Sequence, residues 1–374
     1  MRTKFKNKQE KGITLIALVV TIVVLLILAG ASISLVLNNN GVISKAKDSR
    51  DKYAEAQTND EKQLNEVSDW IDTKVGDTTG GGSDYDPASE GVPIPDGFYY
   101  VGGTKDSGLV ISDNANDKDK YKGQETVGTD LDGNQFVWIP VENIADYKRT
   151  SYMEAYSFSD YSQTLSDDEK TSVETNKGYY IGRYEAGDKE STNAKALRTS
   201  SSSTSNTITV KAGQAPYNYV SLIQAKSLAE GFGEKQGYTS VTSKLVSSYA
   251  WDTAIEFIQK TNSDYGMSSE EGNYKNSPTF TYTGIADTEK NKQTKANGTS
   301  TLIPTGQTTA VNNIYDMGGN LDEWTEESCS GSDGSYAVRG GYFGSASWGI
   351  PAGYRGCQST GPFKAGGFRL TLFL

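Results

Sequence analysis

Residues 13–37, ITLIALVVTIVVLLILAGASISLVL, run for 25 positions without a charged side chain. At about 1.5 Å of rise per residue, a helix of that length spans the roughly 30 Å hydrocarbon core of a bilayer. The run therefore predicts a transmembrane helix. Arg2, Lys4, Lys6, Lys8 and Lys11 precede it against one acid, Glu10, so the positive-inside rule keeps the N-terminus cytoplasmic and sends everything after Leu37 outside. The expectation is a single-pass protein of the cell membrane with an extracellular head. A secretory signal peptide is the rival reading, because Ala29-Gly30-Ala31 is a small-residue cleavage pattern behind the apolar run. The apolar stretch resumes at residues 33–37, which favours the anchor.

The remaining composition excludes several functions. A net charge of -11 repels phosphate backbones, so no nucleic-acid partner is expected. The chain has no histidine, which removes Ser-His-Asp and Cys-His catalysis and all His-ligated metal sites. Its two cysteines, Cys329 and Cys357, are too few for a thiolate zinc site; they make either one disulfide or two buried thiols.

Residues 1–12 form a basic leader, 13–37 the apolar helix, and 38–75 a helical stalk. Within the stalk, residues 44–74 contain no proline or glycine and set Leu64, Val67, Trp70 and Ile71 at helical spacing. That stripe suits packing on the head or on a neighbouring copy. Residues 76–92 have the composition of a Gly/Ser-rich linker, and 93–374 form the head. There, FYYVGG, GLVIS, NQFVWIPV, GYYIGRYEA, AVRGGYF and GFRLTLFL read as short strands. VSLIQAKSLAEGF (220–232) and SYAWDTAIEFIQK (248–260) read as amphipathic helices. Such a mixture predicts an irregular α+β head. TSSSSTSNT and DTEKNKQTKANGTST read as surface loops, and DLDGNQ (130–135) as a hairpin turn or, from its acids, a calcium loop.

PYNYVSLIQAKSLAEGFG, SKLVSSYAWDTAIEFI, NNIYDMGGNLDEWT, VRGGYF and GGFRLTLFL follow one another in an order that resembles the formylglycine-generating, sulfatase-modifying domain, a branch of the C-type lectin fold. The resemblance covers residues 94 to 374. Gly318, Gly319 and Asn320 read as a tight turn, Trp324 as a core anchor, and Arg339 and Arg369 as buried cations satisfied by carboxylates or carbonyls. By the resemblance, two cysteines after the Arg-Gly-Gly would hold copper; those positions here are Ser345 and Ile350, and neither is a thiolate. The related sulfoxide-forming branch uses histidine-bound iron, which this chain cannot supply. The expectation is no enzyme activity and no cofactor; Asn320 and Glu323 are either calcium ligands, as the family's GN-x-x-E segment implies, or members of a salt bridge or cap.

The N-terminal KGITLIALVVTIVVLLILAG resembles the leader of type IV pilin-like proteins, with a cut expected after Gly12. It carries Ala17 where that family has Glu. A minor pilin-like subunit is thus one alternative, and a formylglycine-type oxidase another.

The segment between the Arg-Gly-Gly and GFRL, residues 339–367, resembles the C-terminal variable region of the proteins diversified by retroelements. The residues expected to face a ligand are Tyr342, Ser345, Ser347, Trp348, Ile350, Tyr354, Gln358, Ser359 and Phe363. Aromatics laced with Gly and Ser make adaptable contact surfaces. Nine glycines among the last 36 residues argue against one continuous buried strand. The expected function is adhesion or ligand binding to an extracellular protein or glycan on another cell, host or phage. The stalk would allow a pilus or a homo-oligomer.

Overall fold

The computed structural model describes residues 22–26, 85–152, 160–202, 205–267, 271–285, 291–330 and 335–374. The chain divides into two compact units, Met1–Gly81 and Gly82–Leu374. In the first, residues 22–26 are helical; the leader, the rest of the apolar helix, the stalk and linker residues 76–84 lie outside the described residues. Among the described residues no helix is long and apolar enough to cross a membrane.

The second unit is a mixed α+β fold with mostly antiparallel sheets. Its strands are β1 (Tyr99–Gly102), β2 (Val110–Ser112), β3 (Gln135–Pro140), β4 (Tyr161–Ser162), β5 (Gly178–Gly182), β6 (Gly187–Asp188), β7 (Ile208–Thr209) and β8 (Thr242–Leu245). Then follow β9 (Phe280–Thr283), β10 (Lys292–Lys295), β11 (Asp322–Cys329), β12 (Ser335–Arg339), β13 (Arg355–Ser359), β14 (Gly366–Gly367) and β15 (Leu370–Phe373). The helices are α1 (Asp167–Asn176), α2 (Lys189–Asn193), α3 (Leu222–Glu230), α4 (Phe232–Gln236) and α5 (Ser248–Gln259).

The main sheet runs β1-β2-β3-β5-β15-β8, and each neighbouring pair is antiparallel. Alternation along β3 decides its two faces. Phe136 and Trp138 point to one core with Leu222, Ala225, Leu228 and Ala229 of α3, and Val137 and Ile139 point to the other with Trp251, Ile255 and Ile258 of α5. Both helices start where the sequence has serine. Ser221 closes a reciprocal capping box with Gln224, and the Ser247 hydroxyl accepts from Ala250 N. The terminal strand β15 lies inside this sheet between β5 and β8, so the end of the chain is a structural element.

The second sheet runs β13-β12-β11-β14, with β4 also on β11. Three details differ from the expectations. Residues 113–134 form one long connection between β2 and β3, so DLDGNQ closes no tight hairpin; instead the Asp117 carboxylate accepts from the backbone N–H groups of Asp132 and Gly133. Part of the polar stretch 287–301 pairs as the ribbon β9-β10, with Lys292 opposite Thr283. Residues 85–92, linker by composition, belong to the head: the Tyr85 and Tyr100 rings lie 5.4 Å apart and Val92 is buried in the core.

Candidate functional site

The candidate ligand-facing segment leaves β12 at Arg339. Gly340 and Gly341 follow with φ of +85° and +74°, in the left-handed region that glycine reaches without penalty. A Cβ on Gly341 would stand 2.4 Å from the Ile350 carbonyl oxygen. The Arg-Gly-Gly is therefore a backbone requirement for the loop to turn back on itself.

The loop that follows is pinned at named points. Ser345 Oγ donates to Tyr342 O at 2.7 Å and accepts from Tyr342 N at 3.1 Å, closing a tight turn. Ser347 and Asn276 form a reciprocal pair: Ser347 N donates to Asn276 Oδ1 at 2.8 Å and Asn276 Nδ2 donates to Ser347 Oγ at 3.0 Å. Lys275 N adds a bond to Ser345 O at 2.8 Å. Trp251 Nε1, from α5, holds the Ala352 carbonyl at 3.0 Å. Between these pins Trp348 stands 74% exposed.

Beneath the loop lies a buried ionic network. Asp252 of α5 takes Arg339 on one oxygen at 2.5 Å and Arg355 on the other. Glu327 of β11 takes Arg355 Nε at 2.9 Å and Arg149 at 2.7 Å. Three guanidiniums face two carboxylates, and the surplus donors go to carbonyls: Arg339 Nε to Tyr354 O at 2.7 Å and Arg355 to Thr150 O at 2.8 Å. Burial and the nearby Arg355 lower the pKa of Arg339. At Arg355, Asp252 and Glu327 outweigh burial and raise it. At Glu327 burial alone would raise the pKa, but Arg355 and Arg339 prevail and hold the carboxyl below its usual range.

The structure thus sorts the expected ligand-facing residues. Trp348, Gln358 and Ser359 are exposed, while Tyr342, Ile350 and Tyr354 are half-buried. Ser345 and Ser347 are buried, their hydroxyls used by the turn and by Asn276, so neither faces a ligand. Phe363 is half-buried, its ring edge-on to Trp324 at 5.5 Å, and serves the core. Sequence reasoning missed Arg355, which lies inside the segment yet is buried, and also Asp252, Glu327 and Asn276. Arg355 carried one signal, a lone guanidinium among glycines and aromatics. Asn276 carried none.

The two residues considered for calcium have other partners. Both oxygens of Glu323 accept from Arg369, at 2.8 and 3.0 Å. Arg369 also donates to Gly182 O and Tyr315 O. Asn320 Oδ1 accepts from Asn273 Nδ2 at 2.8 Å and Ile303 N at 3.2 Å, and its Nδ2 donates to Glu185 and Ile303 O. A salt bridge and an amide clamp thus engage these side-chain oxygens, which is the second of the two readings the sequence left open for this pair. Among the described residues, no group of three or more acidic or cysteine side chains is placed to hold a metal. Burial first, then Asp316 and Glu323, push the Glu185 carboxyl well above the usual range. Burial likewise lifts Glu323 to about 7, although Arg369 opposes it.

Cys329 on β11 and Cys357 on β13 are joined in a disulfide, with Cα atoms 6.0 Å apart. It bridges across the end of β12, and Cys357 is exposed. Arg339 and the disulfide thus fix the two ends of the second sheet from which the loop emerges.

No family model matches the chain, and no curated protein matches it in sequence. Among solved structures it is similar to the crystal structure of CarF, at 13% identity and a TM-score of 0.33, over 53% of this chain and 87% of that one. It is also similar to Treponema denticola variable protein 1, at 13% identity and a TM-score of 0.33, over 67% of this chain and 98% of that one. The structure of PvdO from Pseudomonas aeruginosa gives 16% identity and a TM-score of 0.35, over 67% of this chain and 98% of that one.

Proposed function

We propose that the chain is a membrane-anchored display protein whose extracellular, C-type lectin-like head binds a protein ligand through its C-terminal face, without catalysis. The observation that carries this reading is Trp348, 74% exposed on a loop whose flanks are locked by buried ion pairs. A large exposed ring costs solubility, and a rigid mount removes the ordering entropy that would otherwise oppose binding. Exposed Gln358 and Ser359 extend the same segment along β13 with adaptable hydrogen-bonding groups. The frame and the contact residues are different residues, so the contacts can change while the fold stays.

A non-catalytic role agrees with the chemistry of the loop. Ser345 and Ile350 stand where the resembling oxidases carry their copper-binding cysteines, and the Ser345 hydroxyl is committed to the Tyr342 turn. Neither residue can form a thiolate. The anchor rests on the apolar run at 13–37 and the basic residues before it.

The test is deep sequencing of the gene segment that encodes residues 339–367, across a growing population and related isolates. Substitutions crowded at Trp348, Gln358 and Ser359, traceable to template adenines and sparing Arg339 and Arg355, are expected for a diversified binding face. A uniform sequence across isolates would remove diversification and leave a single fixed ligand to be sought.

A further inference from the structure

Strand β13 is an outer edge of the second sheet: it pairs with β12 on one side and with no other strand among the described residues. Along an antiparallel strand the N–H and C=O of one residue point to the same neighbour, and the direction alternates residue by residue. On β12 the Ala337 carbonyl accepts from the Thr325 hydroxyl of β11 at 3.0 Å, so Ala337 faces β11. Tyr336 and Val338 therefore face β13, and their partners Gln358 and Gly356 carry the ladder. The main-chain groups of Arg355, Cys357 and Ser359 turn outward. The Tyr161 hydroxyl agrees with this phase, because it reaches the Arg355 carbonyl at 3.1 Å from β4, outside the β12–β13 ladder.

An open strand edge invites pairing with another chain, and folded proteins charge it, place proline on it or cover it. The main sheet follows that rule. At β1, Asp119 N and Tyr121 N donate to the Tyr100 and Val101 carbonyls at 2.8 Å each, and β8 carries Lys244. At the opposite edge of the second sheet, β14 is buried. On β13 only the ends are closed: Tyr161 holds the Arg355 carbonyl, and Leu222 N, at the head of α3, donates to Thr360 O at 3.1 Å. Between them Cys357, Gln358 and Ser359 are exposed, uncharged and free of proline.

We propose that this edge takes an extended segment of the protein ligand as an added β-strand. The proposal rests on the reading of the C-terminal face as a protein-binding surface and specifies how that surface works. Outward N–H and C=O groups on residues two apart are completed by an extended main chain, whereas a helix keeps its own backbone groups paired internally. Main-chain bonds supply affinity whatever side chains β13 carries. Gln358 and Ser359 point to opposite faces of the strand and meet alternate side chains of the incoming one, which supplies specificity. The residues at 358 and 359 can therefore change without loss of the docking mode.

Residue-resolved amide hydrogen exchange on the full-length protein in detergent tests the edge itself. Gly356 and Gln358 should be protected in the free protein, while Cys357 and Ser359 exchange rapidly. Protection of Cys357 and Ser359 before any ligand is added would overturn the proposal.

The same protein is then used to select binders from a displayed library of random linear peptides, and the tightest is resynthesised. Its binding should slow exchange at Cys357 and Ser359, and N-methylation of alternate peptide amides should abolish it. Ser359→Pro removes an outward N–H and spares the ladder, so it should weaken binding about tenfold or more with the melting temperature unchanged. Ser359→Ala, which keeps the N–H, should weaken it by less than about threefold. The N-methylated peptides probe the same bonds from the ligand side if the proline variant does not fold. A peptide that needs Trp348 yet binds Ser359→Pro and its own N-methylated form normally would leave the C-terminal reading standing and overturn this one. The proposal also falls if no peptide is selected, or if the free protein is a dimer that Ser359→Pro dissociates, which would put a second copy of the chain on the edge.

Discussion

Arg355 donates from Nε to Glu327 Oε2 at 2.9 Å, and both side chains are buried, although Arg355 lies within the segment that is most loop-like in composition. The pair joins β13 to β11 across β12, and the other end of the same guanidinium reaches Asp252 on α5. A stretch that looks free to vary therefore contains one of the residues that positions it. Loop and frame interleave along the sequence and separate only in space.

Removing that cation should be costly. Arg355→Ala leaves Asp252 and Glu327 buried with one partner fewer, and breaking a buried ion pair from one side costs about 3–5 kcal/mol. Arg355→Lys should recover little, because an ammonium cannot serve Glu327, Asp252 and the Thr150 carbonyl as a planar fork does. Urea unfolding monitored by tryptophan fluorescence measures both. A loss below about 1 kcal/mol for Arg355→Ala would contradict the buried network.

Asp322 gives a prediction with a definite pH sign. It is buried at the start of β11, its Oδ1 has no hydrogen-bond partner among the described residues, and burial pushes its carboxyl up to about 8. In the unfolded chain an aspartate titrates near 3.9. The folded state therefore holds the proton more tightly, and its stability falls as pH rises from about 4 to about 8, at roughly 1.4 kcal/mol per unit. Asp322→Asn should be the more stable protein at pH 8 by a few kcal/mol, with the gap closing toward pH 4. Parallel pH profiles for the two proteins would refute it.

How much of this was legible beforehand follows from the physics of each feature. Helices α3 and α5 could be read because their apolar residues recur at helical spacing and a serine precedes each. Burial of Trp324, Arg339 and Arg369 could be read from the cost of exposing the first and of leaving the others unpaired. The partners of those arginines could not. Asp252 sits on a helix and Glu327 on a strand, far apart in sequence, and nothing local marks an acid as buried. Ser345 and Ser347 looked like the polar half of a contact surface. Their hydroxyls proved to be engaged by a tight turn and by Asn276, a residue with no sequence signal. At Glu323 the sequence left calcium and a salt bridge open together for a related reason: acceptors suited to a cation suit an arginine equally well, and only the fold decides that Arg369 reaches Glu323.

The disulfide makes a third prediction. Cys329 and Cys357 are separated by 28 positions, and closing a loop of that length stabilises by roughly 3–4 kcal/mol through the unfolded chain. Because Cys357 is exposed, a small reductant should reach the bond without global unfolding. Intact mass should rise by about two units on reduction, and the urea midpoint should fall by an amount matching that free energy. An unchanged mass would exclude the bridge.

The last prediction separates the roles within the C-terminal segment. Exposed side chains away from hydrogen bonds, caps and turns usually change stability by less than about 0.5 kcal/mol when replaced, whereas buried hydroxyls that satisfy other polar groups cost about 1–3 kcal/mol. Trp348, 74% exposed, belongs to the first class, with Gln358 and Ser359. Ser345 and Ser347 belong to the second: replacement of Ser345 by alanine strands Tyr342 N, and replacement of Ser347 strands Asn276 Nδ2. Gly341 is more restrictive still, since any side chain there must hold φ at +74° and meet the Ile350 carbonyl. A saturation library over residues 339–367, sorted for folded protein independently of any ligand, should therefore accept most residues at 348, 358 and 359. At 345 and 347 it should accept few, and at 341 almost only glycine. Tolerance spread evenly over these positions would mean that the turn and the Asn276 pair do not hold the loop, and the rigid mount on which the binding role of Trp348 depends would be lost.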